Sequence, residues 1–429
     1  MKIELIATGE ELLDGRVVNS NTRDISALLY GEGWGVERAT TVGDHPEKLL
    51  DVFSEISQRA DIAISTGGLG PTDDDRTSEI VAQLAGVERV QSPEALAQIE
   101  AFFEALRRPM ADINKKQALL PDGSTILQNH YGTAPGFLME VNGCRFFALP
   151  GVPSEMRGMM RDHVLPRLRE WGADEWNPPL LRRFKCFGTG ESQIASLLQD
   201  LYPLPEDVEI GYRAKFPEVH ISVVHRGHDK DASQQQLEAL AAQVEERCQR
   251  FIYGQGEDTF VETLGTLLRS QGKTLALAES CTGGLIAQSI TEFAGVSDFF
   301  LMSAVTYSNE AKQAMLGVTS ESLEAQGAVS EEVAREMAEG ARRVSGADIA
   351  TSVTGIAGPG GGTPDKPVGT VHIAVADAEG TIHRRLHLAG GRARVQKLTA
   401  YAALELVRRR LLGESEQVQF HGEVKKKNS

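Results

Sequence analysis

The sequence lacks most of what builds metal fingers, disulfide scaffolds and membrane spans. Its 429 residues include only four cysteines, Cys144, Cys186, Cys248 and Cys281. They stand far apart and form no C-x-x-C pair, so neither a zinc site nor a disulfide framework is indicated, and a reducing cytoplasm fits. No apolar run reaches membrane-spanning length, and the first residues, Met1-Lys-Ile-Glu-Leu-Ile-Ala-Thr8, lack a long signal core. Positive charge is in short supply: 44 Lys and Arg face 60 Asp and Glu, a formal net charge of -16. Phosphate contacts along a nucleic acid need clustered Lys and Arg, so no general nucleic-acid binding and no membrane partner are expected. The G-x-S-x-G elbow of the hydrolases is also missing.

What is present is ordinary globular material, 41% hydrophobic and 24% charged. The length suggests two to three domains. From the first residue, strands at 2–8, 36–42 and 61–66 alternate with helical patterns at 21–31 and 46–59. That alternation predicts a doubly wound α/β sheet, whose ligands bind beyond the carboxyl ends of the strands. A boundary is expected across 167–181, with Trp171, Trp176, Pro178 and Pro179. Residues 180–255 read as a small strand–helix–strand–strand unit closed by a helix, without a catalytic cluster: a spacer or dimerisation module. A second α/β unit runs over 256–413. The tail at 414–429 is polar, ends in Lys425-Lys-Lys427, and reads as disordered.

Chemistry concentrates where strands end in glycine. In the first unit the stretch is Gly67-Gly-Leu-Gly-Pro-Thr-Asp-Asp-Asp-Arg-Thr77. Its glycines Gly67, Gly68 and Gly70 can present amides to a phosphate. Its aspartates cannot, but can hold a hard cation that does. An acidic first turn of helix is the plainer alternative. Pro150-Gly-Val-Pro-Ser-Glu-Met156 is another strand-end loop of the same kind.

In the second unit Thr274-Leu-Ala-Leu-Ala-Glu-Ser-Cys-Thr-Gly-Gly284 reads as a buried strand, a tight turn and a helix start. Ser280 stands where a nucleophile, an anion-binding hydroxyl or a mere N-cap would stand. A serine nucleophile needs a base. No histidine lies in these loops, and His372, His383 and His387 alternate with apolar residues on strands, as surface imidazoles often do. A lysine with a pKa lowered by partial burial can serve as the substitute base, with Lys312 the candidate and Tyr307 a relay or orienting hydroxyl; a solvent-facing helix lysine is the plainer reading of Lys312 on the residues alone. Cys281 competes as nucleophile, though free cysteine is more often a buried hydrophobe. Thr354-Gly-Ile-Ala-Gly-Pro-Gly-Gly-Gly362 is a second glycine loop facing the same cleft, and Arg392 precedes a helix as a phosphate partner.

Over about residues 1–412 the chain resembles full-length members of the CinA, or competence/damage-inducible, family. The matching motifs are Thr8-Gly-Glu-Glu-Leu-Leu-Asp-Gly15, Asn21, Val42-Gly-Asp44, Gly67 to Thr72, Asn129, Gly132-Thr-Ala-Pro-Gly136, Pro150 to Met156, Ala278 to Gly284, Tyr307-Ser-Asn-Glu-Ala-Lys312, Thr354 to Gly361 and Gly369-Thr-Val-His372. The resemblance implies a MoaB/MogA-like molybdopterin-binding type domain over 1–170, a KH-like module over 180–255, and an α/β/α nicotinamide mononucleotide (NMN) deamidase domain over 256–413. It implies Ser280 as nucleophile assisted by Lys312 and Tyr307. The substrate-binding set expected around them is Glu279, Thr282, Gly283, Gly284, Thr354, Gly355, Gly358, Pro359, Gly360, Gly361 and Arg392. The deamidase is expected to need no cofactor. For the first domain the resemblance implies an ADP-ribose pyrophosphatase that uses a divalent metal (Mg, Mn or Co) on Asp74 and Asp75. Gly67, Gly68, Gly70, Asp44 and Thr77 would bind that substrate. Nucleotides are the expected partners and a cytoplasmic homodimer the expected assembly. The first-domain loop departs from the family in placing Arg76 where an aliphatic residue is usual; it could sit over the phosphates or pair with Asp73.

Overall fold

The computed structural model describes residues 1–414. The expected disordered tail lies outside them, apart from residue 414. The chain forms two compact units, Met1–Pro179 and the unit beginning at Leu180, each taken by itself here. The break falls in the Trp- and Pro-bearing stretch.

In the first unit β1 (Ile3–Thr8), β2 (Val36–Val42) and β3 (Ile62–Thr66) are parallel, with β1 in the middle. Every residue of β1 and β3 is buried, as a strand covered on both faces requires. A short ribbon, β4 (Arg89–Gln91) with β5 (Leu119–Pro121), stands apart from the main sheet. The sheet continues through β8 (Cys144–Leu149), parallel to β3, to the antiparallel β7 (Gly136–Val141) and β6 (Thr125–Leu127), in the order β2-β1-β3-β8-β7-β6. The doubly wound reading holds for four strands. The antiparallel edge arises at Asn142-Gly143, both with positive φ (54° and 85°). This is the two-residue turn whose twist suits a hairpin, and the Asn-Gly pair signals it.

The second unit opens with an antiparallel sheet, β10-β11-β9-β12, from β9 (Leu180–Cys186), β10 (Val208–Lys215), β11 (Glu218–His225) and β12 (Ile252–Gln255). Helix Lys230–Cys248 begins at Asp229, whose side chain accepts from the Ala232 amide, and buries Leu237, Ala241 and Val244 against this sheet. A Thr259–Glu262 capping box then starts helix Phe260–Ser270. The larger sheet has the order β14-β13-β15-β16-β17: β13 (Leu275–Glu279), β14 (Phe300–Val305) and β15 (Ile349–Gly355) are parallel, and β16 (Thr370–Asp377) and β17 (Gly380–His387) antiparallel. Helix Glu331–Ser345 lays Val333, Ala334, Met337, Ala338 and Ala341 on the sheet, and Gly340 lets the Leu316 carbonyl approach its backbone.

The middle and C-terminal modules, expected as separate domains, pack as one unit. Phe187, Tyr253, Phe260 and Tyr401 form a continuous aromatic cluster across the 256 boundary. Tyr401 donates to Glu218 (2.9 Å), Lys185 to the Asp258 carbonyl (2.6 Å), and Arg409 to the Arg250 carbonyl (2.5 Å). Among the described residues no helix is long and apolar enough to cross a membrane.

Candidate active sites

In both α/β sheets the chain leaves a central strand for a neighbour on one side, then returns to the other side. β1 is followed by β2 and then β3, and β13 by β14 and then β15. The loops after β1 and β3, and after β13 and β15, therefore flank a switch point where ligands bind such sheets.

In the second unit the β13 strand delivers Ser280, whose amide donates to the Val353 carbonyl of β15 (3.1 Å). Lys312, on helix Asn309–Leu316, reaches into the turn. Its Nζ lies 3.2 Å from Ser280 Oγ and donates to the Thr306 carbonyl at 2.8 Å. Its residue is 1% exposed, and this desolvation holds its pKa below the usual lysine value, opposed only by the Cys281 thiol. Serine and candidate base are thus in hydrogen-bond contact. Cys281 is buried in the hydrophobic core, and desolvation pushes its thiol up to about 12. A thiol held protonated is a poor nucleophile, and Lys312 Nζ contacts Ser280 Oγ, which weighs against the competing reading.

Tyr307 is not part of this contact. It is 63% exposed, and its hydroxyl accepts from Arg392 (3.2 Å). Arg392 also donates to the Gly358 carbonyl (3.0 Å), joining the Tyr307 segment to the second glycine loop. It is the first residue of helix Arg392–Leu412, whose N-cap Gly391 supplies no capping side chain. Gln396, one turn on, donates to the Cys281 carbonyl (2.8 Å).

Several expected substrate contacts turn out to be internal. Glu279 is fully buried, and its carboxylate accepts from Thr282 Oγ1 (2.7 Å), the amides of Gly284, Ile286 and Ala287 (3.0, 3.1 and 2.9 Å) and Ser303 Oγ (3.3 Å). Glu279, expected among the substrate contacts, therefore occupies the start of helix Leu285–Thr291 itself, and Thr282 is its partner. Thr354 is buried and donates to the Ala328 carbonyl (2.7 Å). Gly355 and Gly358 lie within packing distance of the Thr370 carbonyl and Val368. Gly283 and Gly284 have positive φ (63° and 97°), and a Cβ on Gly283 would meet nothing, so the turn is open to a ligand on that side. Pro359, Gly360 and Gly361 are exposed.

Two of the three strand histidines depart from the surface reading. His372 and His383 pair ring to ring (3.0 Å between Nδ1 and Nε2), and His383 meets Glu331 at 3.2 Å. Burial, with His383 beside it, drives His372 down to about 4.

In the first unit a cavity of about 400 Å³ opens at the switch point, lined by Gly67, Gly68, Gly70, Asp44, Asp74 and Asp75. Glu11, Gln117, Thr133 and Glu155 join it. These four were not singled out as site residues; the recurring strand-end loops were the signal for Glu155, whose carboxyl burial pushes up while Asn129 donates to it (2.7 Å). Asp75 accepts from the Thr72 amide (2.9 Å) and hydroxyl (2.6 Å), and the same hydroxyl reaches Asp74. Thr77 is a packing residue: it is buried and donates to the Gly67 carbonyl (2.8 Å). Arg76 faces Glu79 (3.7 Å) rather than Asp73. Among the described residues no group of three or more His, Cys, Asp or Glu could hold a metal. The donors present are oxygens, and desolvation with the nearby Glu11, Asp74 and Glu10 charges raises the Asp44 pKa. The expected metal pair, Asp74 and Asp75, is bonded to Thr72 of its own loop, so the oxygen donors here do not by themselves form a cation site; any cation would need oxygens from the substrate and water as well.

A three-part α/β chain with a serine–lysine pair at one switch point and a carboxylate-lined cleft at another is the class these features define. Comparison with known proteins places it. Residues 4–170 match the family described as probable molybdopterin binding domain, 181–254 the damage-inducible protein CinA KH domain, and 257–411 the CinA C-terminal domain. A CinA-like protein of Citrifermentans bemidjiense is 43% identical over 96% of this chain and 98% of its own length. A putative competence-damage inducible protein of Symbiobacterium thermophilum is 43% identical over 96% and 99%. The crystal structure of competence/damage inducible protein CihA from Agrobacterium tumefaciens aligns with 36% of this chain and 97% of its own, at 42% identity and TM-score 0.34. The chain belongs to the CinA family.

Proposed function

We propose that the second unit hydrolyses the carboxamide of NMN, giving nicotinate mononucleotide and ammonia. The observation that carries this is the 3.2 Å contact between Ser280 Oγ and a buried Lys312 whose charged form is disfavoured. Neutral Lys312 takes the hydroxyl proton as Oγ attacks the carboxamide carbon. The amides of Ser280, Gly283 and Leu285 are engaged by the Val353, Ser280 and Thr282 carbonyls, and that of Gly284 by Glu279. The amide of Cys281 lies against its own thiol, so among these turn amides that of Thr282 is the candidate donor to the oxyanion. Lys312 returns the proton to nitrogen, the C–N bond breaks, and ammonia leaves. Water then cleaves the acyl-serine by the same proton path in reverse. Arg392 and the uncapped start of its 21-residue helix receive the phosphate.

The test is ammonia release from NMN by the whole chain. Ser280→Ala should remove it and Cys281→Ala should keep most of it. A dead cysteine variant beside an active serine variant overturns the assignment, and no release by the wild type would make Ser280 a structural residue of a binding protein.

The first-unit cleft supports a second reading, cleavage of ADP-ribose to AMP and ribose 5-phosphate. The observation favouring it is a nucleotide-sized cavity that combines a glycine turn with oxygen donors. A divalent cation there would polarise the phosphoryl oxygens. Gly67, Gly68 and Gly70 would cradle the pyrophosphate.

A further inference from the structure

A second cavity, of about 380 Å³, lies inside the second unit where the KH-like module meets the larger α/β sheet. Nothing in the deamidase chemistry uses it. It is in the size range of small-ligand sites, and its composition is unlike the rest of the chain. Tyr253, Phe260, Phe293 and Tyr401 supply aromatic wall. Phe293 and Tyr401 are only partly buried, so their faces are what a ligand would meet. Three ammonium groups, Lys185, Lys215 and Lys397, line the same space, in a protein of net charge -16. Lys397 and Arg394 also approach the Phe216 ring beside it.

Lys185 is the informative member. Its residue is only 7% exposed, and its Nζ donates to a carbonyl, that of Asp258. Among the described residues no carboxylate lies within ion-pair distance of it. The Glu262 carboxylate acts on it only through space, and a buried ammonium with no anion in contact is costly. The acidic side chains of the lining do not supply the anion. Glu218 is held by His220 (2.8 Å) and Tyr401 (2.9 Å), and Glu292 is exposed at the mouth.

We infer that this cavity is a mononucleotide-binding site, the base stacked on the Tyr401 and Phe293 side and the phosphate held by Lys185, Lys215 and Lys397. Aromatic faces accept any base by stacking, and lysine serves phosphate as a point charge. The site is separate from the Ser280 turn and from the first-unit cleft, so it stands whether or not the deamidase reading does.

AMP is the probe, titrated calorimetrically into the whole chain, with adenosine and ribose 5-phosphate in parallel; because the first-unit cleft could also take AMP and ribose 5-phosphate as products, the readout is the binding event that persists in Asp44→Asn. Lys397→Glu reverses an exposed charge, and Ser289→Phe fills the cavity from helix Leu285–Thr291, where the serine is half-buried. Thermal melts check that both variants fold. AMP should bind, with adenosine and ribose 5-phosphate each at least about tenfold weaker. Both variants should weaken AMP at least about tenfold, while Ser280→Ala and Asp44→Asn, which alter the other two clefts, leave this binding unchanged. Wild-type affinity in both Lys397→Glu and Ser289→Phe overturns the proposal. So does adenosine binding as tightly as AMP, or no AMP binding at about 5 mM.

Discussion

At the end of β1 the first unit gathers Asp44, Asp74 and Asp75 around an open cavity, Asp44 bonded to the Glu10 amide of the β1 loop and the other two to Thr72 of their own loop. At the end of β13 the second unit buries Glu279 under five donors and presents instead a serine touching a dehydrated lysine. Both sites use the same topological position. The first keeps its carboxylates beside an open cavity, where the proposed reading would have them recruit a cation. The second removes water from a cation until the neutral form becomes useful. A switch point thus offers a place for chemistry, and burial of the charged side chains selects which chemistry.

The sharpest way to break this contrast is to take the base out of the second cleft. Lys312→Met keeps the buried volume and removes the amine. NMN deamidation should fall about a thousandfold or more, comparable to Ser280→Ala. In the wild type the active form is neutral Lys312, so kcat/KM should rise with pH and level off at the depressed lysine pKa, below the ordinary 10.5. A flat profile from pH 6 to 10 with an active Lys312→Met would leave the lysine as a packing residue.

Glu279 gives the next effect. If it anchors the helix start, Glu279→Gln should cost about 2–4 kcal/mol of stability, since a buried charged acceptor loses several donors at once. The readout is the denaturant midpoint of the second unit. A stable variant with a raised KM for NMN would restore Glu279 to the substrate contacts expected from the sequence.

The buried histidine pair adds a pH dependence that only the second unit should show. His372 titrates at about 4 instead of 6.5 because burial disfavours its charge. Between those values the unfolded chain binds the extra proton, so stability falls as pH drops through this window. At pH 5 the loss is about 1–2 kcal/mol relative to pH 7, allowing for partial solvent screening. His372→Gln should remove it. An unchanged pH slope in that variant would assign the acid sensitivity elsewhere.

How far these features could be read from the chain follows from their range. β1, β3 and β13 are legible because strands buried on both faces must be continuously apolar. The Ser280 and Gly67 turns are legible because strand, glycine and helix start are adjacent in sequence. The Lys312 contact joins positions 32 apart, and only the family resemblance favoured it beforehand. The role of Glu279 was hidden because a buried anchor and a substrate contact need the same side chain. The His372–His383 pair depends on β16–β17 register, where Ala374 lies opposite His383 and His372 opposite Arg385. Alternation alone does not decide which face of an outer strand a helix from elsewhere in the chain will cover. Helix Glu331–Ser345 covers this one, and Glu331 completes the chain of partners.

The smallest expected effect concerns Arg76, and it bears on whether the first cleft is competent. The sequence placed a cation where the family usually has an aliphatic residue, so interference with the carboxylates was the natural expectation. In the structure Arg76 lies at the N-cap of helix Thr77–Ala85 and faces Glu79 at 3.7 Å, a partly exposed pair worth about 0–1 kcal/mol. Its charge reaches Asp74 only as the weakest of several influences, after the Thr72 hydroxyl that chiefly lowers that pKa. Arg76→Ile should therefore change AMP release from ADP-ribose by no more than about twofold, well under 1 kcal/mol. Asp44→Asn, which removes a half-buried carboxylate from the cavity itself, should lower it at least about tenfold and leave NMN deamidation intact. The measurement is AMP production by the three proteins with Mg, Mn and Co in turn. A strong gain in Arg76→Ile would mean that the arginine swings into the cleft and competes for the metal. Equal activity in wild type and Asp44→Asn would remove Asp44 from the site, and no AMP from any of the three would make the first unit a binding domain.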